Sequence, residues 1–181
     1  MAEVLLRHRL AEADPTAAVS SAGLHAAGSP ATAYGVDTMR DWGLDLSDHR
    51  SRQIDAALLG SADLILGMAR EHIREVAVID PEALARSFTL KELVRRGEAV
   101  GGRRADEDLP RWLDRVGAGR RREDLLGVGH DPAFDIEDPV GQSRQRYQAT
   151  AAEIDGLLGR LVAVAWPPPE RRPAALQGRS A

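Results

Sequence analysis

The chain of 181 residues is 43% apolar and carries a formal charge of −4. That is one domain's worth of core, with no overall attraction to nucleic acid or anionic lipid. It has no cysteine, which excludes a disulfide, a cysteine-ligated zinc ion and thiol catalysis by these residues. No apolar run approaches the ~20 residues of a membrane span, and no basic-then-apolar leader is present, so the expected location is the cytoplasm. Lys91 is the only lysine among 24 basic residues. That bias fits a GC-rich genome and implies no arginine chemistry.

The first element is a helix, MAEVLLRHRL, with Val4, Leu5, Leu6 and Leu10 on one stripe and Glu3, Arg7 and Arg9 left for water. No capping residue precedes it. VSSAG (19–23) reads as a short buried strand. Ser29-Pro30 signals a helix start, with Ser29 as cap, Ala33, Val36 and Met39 on the inner face, and Gly43 as the stop. The polar segment LSDHRSRQI (46–54) leads into a short helix ending near Gly60. ADLILGM (62–68) is a strand covered on both faces.

A helix follows over about 69–76. Arg86-Ser87-Phe88 makes a short strand, and a helix capped by Thr89 runs to a stop at Gly97. Residues 97–130 read as a charged, Gly-rich linker around one or two helical turns at PRWLDRV. The arginine pairs there are offset by nearby acids, which makes a solvated linker. After DIEDPVGQ (135–142), a long helix carries Tyr147, Ala151, Ile154, Leu158 and Leu161 at steps of three and four. It ends near Trp166, before a Pro-rich tail expected to be disordered (167–181). Strands alternating with helices predict an α/β fold with a parallel sheet, whose ligands bind beyond the carboxyl ends of the strands.

Three segments in this order make residues 1–166 resemble the low-molecular-weight protein tyrosine phosphatase family: VSSAG with Gly28-Ser-Pro, GLDLSDHRSRQI with ADLILGM, and DIEDPVGQ with Tyr147 after it. The resemblance implies a three-layer sandwich on a four-stranded parallel sheet and a two-step hydrolysis of phosphotyrosine-containing protein or a small aryl phosphate, with no cofactor or metal. A C-x5-R-S loop supplies a thiolate and cradles the phosphoryl oxygens. An Asp-Pro aspartate protonates the leaving oxygen and then activates water. On these motifs Asp138 occupies the general acid/base position, and Pro139 suits it by fixing φ. Ser21 occupies a loop-supporting position, and Tyr147 is a candidate flank of the substrate. Trp42 is a weaker candidate flank, and His49, Arg50 and Arg52 lie in a polar loop of unassigned role. Residues 97–130 and the tail stand outside the family's compact form, as an insertion and an extension.

The departure is at the front. In the family the loop runs on into Met-Ala-Glu, and this chain begins Met1-Ala2-Glu3. The first strand, the cysteine and the loop arginine are therefore expected upstream of Met1, and this chain is expected to be inactive as written. The absent strand would leave a central gap in the sheet, with backbone groups unpaired. A non-catalytic binding or regulatory protein on the same scaffold is the alternative; arsenate reduction would need thiols as well. Other readings of single residues are structural. On that reading Asp138 serves a turn or caps the last helix, Ser47-Asp48-His49 is too local for a triad, and the five histidines lack metal-binding spacing.

Overall fold

Alternation along one strand defines the layers. The computed structural model describes residues 1–24, 27–121, 123 and 131–168. In the segment leading into β1 (Ile65–Gly67), Leu64 and Leu66 pack into the main core, while Ile65 packs into a second cluster with Leu59, Val76 and Ala83. A strand whose successive side chains enter different cores is covered on both faces. β2 (Ser87–Thr89) pairs with β1 in parallel, Leu66 opposite Phe88. The fold is therefore a three-layer α/β sandwich on a short parallel sheet.

One face carries α1 (Ala2–Ala13), α2 (Ala33–Asp41), α5 (Leu90–Val100) and the long α7 (Arg144–Ala165), with Leu5, Met39, Leu93 and Leu158 at the centre of their core. The other carries α3 (Ala56–Ser61), α4 (Arg70–Ile79) and a 3-10 turn at Pro81–Arg86. All five apolar positions expected on the last helix are buried in α7. α7 starts at Ser143, whose hydroxyl accepts from the Arg146 N–H. Asp138 is therefore not its cap. Thr89 caps α5 as expected.

Residues 19–23 do not form a strand. Their one bridge is Gly23 with Gln53, where the Gly23 N–H donates to the Arg52 carbonyl and its own carbonyl accepts from Ile54. A ladder needs a neighbour, and none among the described residues runs alongside. Ser20 and Ala22 are exposed, so water can take their backbone groups. The start of α2 is also displaced. Pro30 bridges Arg50, the Ser29 carbonyl accepts from the Ser51 N–H, and the cap is Thr32. Arg9 does not face open water either, since its Nε and Nη2 grip the Asp155 carboxylate on α7 at 2.7 and 2.6 Å.

Much of the expected linker is core. α6 (Leu109–Gly117) buries Trp112, Leu113 and Val116. α5 runs through Gly97 because that glycine lies under the indole of Trp112, and it stops at Gly101, whose φ of +86° favours glycine. Arg115 and Arg120 are structural cations. Arg120 pairs with the buried Glu92 at 2.9 Å, donates to the Ser87 carbonyl and stacks 3.8 Å from the centre of the Phe88 ring. Arg115 clamps Glu107 at 2.8 Å and holds its carboxyl down to about 2. The sequence pattern hides this, because each cation sits among acids in the chain while its partner lies outside its own helix or turn. The tail beyond residue 168, His25 and His130 lie outside the described residues.

A β-carbon at position 97 would stand 2.9 Å from Trp112 Cζ2 and 3.3 Å from Val164 Cγ2. Gly97→Ala gains helix propensity of about 1 kcal/mol, but overpacking a rigid buried indole costs about 1–3 kcal/mol. We expect a net loss of stability in urea denaturation; a more stable variant would show that Trp112 yields freely.

Candidate functional site

The first turn of α1 is where the described loops converge. Glu3 is largely buried, with its side chain 16% exposed. Its carboxylate accepts from the Ser21 hydroxyl and the Arg7 guanidinium, and His49 Nδ1 stands 3.8 Å away. Arg7 also donates to the Val19 carbonyl at 3.0 Å, and Arg52 to the Ser21 carbonyl at 3.3 Å. One acidic side chain thus ties α1 to residues 19–23 and to the polar loop before α3. Burial pushes the Glu3 carboxyl up. The hydroxyl, the guanidinium and His49 outweigh it, so the carboxyl titrates below its ordinary 4.5. The Met1 amino group is buried beside this cluster and is shifted below its ordinary 8.0, against the opposing pull of Glu3.

A second loop forms beyond the carboxyl end of β1. The buried Asp135 accepts from the Arg70 N–H with Oδ1 and from the Asp131 N–H with Oδ2, both at 2.8 Å. Ile136 N–H donates to the Met68 carbonyl at 2.8 Å, and Lys91 Nζ donates to the Asp135 carbonyl at 2.7 Å. Asp135 therefore seats the loop on the first turn of α4. His72 completes that turn, its Nδ1 accepting from the Met68 and Ala69 N–H groups. Three residues on, Asp138 is exposed. Its Oδ1 accepts from the Val140 N–H at 3.0 Å in an Asx turn, and Oδ2 has no partner among the described residues. Gln142 donates to the Asp138 carbonyl at 3.2 Å, which closes the turn.

Ser21, His49 and Arg52 are thus drawn together by the structure around Glu3, and Asp138 stands on its own braced turn. Tyr147 is buried, edge-on to Tyr34 with 5.8 Å between ring centres. It packs α2 against α7 in this structure. Trp42 ends α2, half-exposed. Arg50 folds onto its own loop, donating to the Ser47 and His49 carbonyls. Glu3 and Asp135 were not singled out as site residues by sequence reasoning. Glu3 read as the water-facing side of a helix; the only hint of Asp135 was a second acid three positions before Asp-Pro.

An open parallel α/β sheet, with polar loops gathered at a helix N-terminus and an Asp-Pro turn beyond a strand end, describes a class that handles anionic ligands in its loops. The sequence pattern of the low molecular weight phosphotyrosine protein phosphatases matches residues 1–101, and the chain belongs to that family. A probable low molecular weight protein-tyrosine-phosphatase, EpsP of Ralstonia solanacearum, is 38% identical over 94 residues, 51% of this chain and 62% of that protein. The chain thus spans less than two thirds of that relative. The crystal structure of the low molecular weight protein tyrosine phosphatase from T. tengcongensis superposes with a TM-score of 0.64 at 28% identity, over 89% of this chain and 86% of the other. The YwlE arginine phosphatase from Geobacillus stearothermophilus gives 0.62 at 26%, over 88% and 79%.

Two titrations report on the first turn of α1. A carboxyl with a lowered folded pKa contributes stability that is full above its unfolded value and lost as pH falls through the folded one. Glu3→Gln should therefore destabilise the protein at neutral pH, and the deficit should close as pH falls below 4.5. Urea denaturation across pH checks this; a deficit independent of pH would contradict it. The buried amine has the opposite charge. Its lowered pKa means that the unfolded chain binds more protons up to pH 8.0, so stability rises with pH toward that value. Acetylating Met1 should stabilise the protein most on the acid side of that window, with the gain gone above pH 8.

Proposed function

We propose that these residues form the body of a phosphotyrosine phosphatase whose thiolate loop lies upstream of Met1, and that the 181 residues alone hydrolyse no aryl phosphate. The observation that carries this is the absence of cysteine from the whole chain, in a fold whose reaction needs a thiolate. The open edge of residues 19–23 supports it, since a further strand beside it would pair its backbone groups.

In the complete reaction the thiolate attacks phosphorus, forming an S–P bond as the P–O bond to the phenol breaks. Asp138 donates its proton to the departing oxygen. Water then forms a new O–P bond, the S–P bond breaks, and the Asp138 carboxylate takes the water's proton. The unengaged Oδ2 suits that traffic, and the Asx turn holds the other oxygen still. Ser21 acts through Glu3 and positions the first turn of α1. The substrate is a phosphotyrosine-containing protein or a small aryl phosphate, and the protein works in the cytoplasm. Tyr147 flanks it only if the α2–α7 packing opens, so its part is the packing itself.

The same missing thiol favours a second reading, a non-catalytic binding protein on this scaffold. Phosphate release from an aryl phosphate separates the readings. The 181-residue protein should release none. A version extended at Met1 by a strand and a C-x5-R-S loop should turn over, and Asp138→Asn should lower its kcat by about 10²–10⁴-fold for a poor leaving group. Phosphate-inhibited turnover by the 181 residues would overturn the proposal. An inert extended chain would favour the second reading.

A further inference from the structure

A cavity of about 500 Å³ opens at the carboxyl ends of β1 and β2, away from the Glu3 cluster. That volume is in the range of small-ligand sites, and the strand ends are where parallel sheets bind ligands. Its described lining holds five arginines against three carboxylates. The innermost charges are spent on the fold. Glu92 is shared by Arg96 at 3.3 Å and Arg120 at 2.9 Å. Asp131 takes the Ala133 N–H with Oδ1.

Arg95 is different. It is exposed on α5, and its guanidinium carbon lies 4.6 Å from the centre of the Phe134 ring. No carboxylate or carbonyl among the described residues accepts from it. A guanidinium laid on a ring is held in place while its N–H edge stays available for a planar or tetrahedral anion. Phe134 and Ile73 supply apolar wall beside it. We propose that this cavity binds a small organic anion, a phosphate or carboxylate carried on an apolar body, with Arg95 as the group that takes the charge. The proposal does not rest on the phosphatase reading: the cavity borders the loop that carries Asp138, through Arg70 and Asp131 on Asp135, but Arg95 and Phe134 belong neither to the Glu3 cluster nor to the Asp138 turn.

Phenyl phosphate titrated into the 181-residue protein, followed by the NMR signals of the arginine Nε–H groups and the Phe134 ring, tests this. We expect a saturable shift at Arg95 and Phe134, with inorganic phosphate at least fivefold weaker because it has no apolar body. Arg95→Gln should weaken phenyl phosphate tenfold or more, with an unchanged melting temperature. Arg111→Gln removes an equally positive but outward-facing charge on α6 and should leave the affinity as it was. Shifts confined to Glu3, Ser21 and His49, equal affinity for inorganic phosphate, or equal losses in the two arginine variants would each overturn the proposal.

Discussion

A carboxylate at the first turn of α1 sets the geometry of everything around it. Glu3 takes a hydroxyl from residues 19–23 and a guanidinium from its own helix, and faces the imidazole of His49 in the polar loop before α3. Without that anion the Ser21 hydroxyl would lose its acceptor and Arg7 would keep only the Val19 carbonyl, and a polar group left unsatisfied costs about 1–3 kcal/mol. α7 supports this turn from behind. Arg9 on α1 grips Asp155, and Leu5 and Leu158 share one core.

The opposite edge of the domain uses the same device with the signs arranged differently. Glu92 is buried between Arg96 and Arg120, and Arg120 also lies on Phe88 and reaches the Ser87 carbonyl. This ties β2, α5 and the segment after α6 into one block. A buried charge of this kind is tolerated because it is paired and hydrogen-bonded on several sides. Asp135 does the corresponding work for the loop that carries Asp138.

What could be read directly from the chain was whatever depends on local periodicity. α7 follows from Tyr147, Ala151, Ile154, Leu158 and Leu161; α5 follows from Thr89 and the apolar steps after it; β1 follows from its compact apolar run. The parallel α/β class followed from their alternation. What could not be read depends on partners distant in sequence. VSSAG has the composition of a strand, but a strand exists only with a ladder beside it. Gly97 has the look of a helix stop, and only the indole of Trp112 explains why it is interior. Arg115 and Arg120 look solvated until Glu107 and Glu92 are found beside them. At the site, Ser21 reads as loop support and His49 as a position without a role, while the residue that joins them, Glu3, reads as a water-facing one.

The proposed reading places the thiolate loop of the reaction outside these residues, which hold no cysteine. The DNA immediately upstream of the Met1 codon tests it most directly. An open frame running into Met1 that encodes an apolar strand followed by C-x5-R-S-P is the expected result. An in-frame stop codon just before Met1, with no such segment, would contradict it.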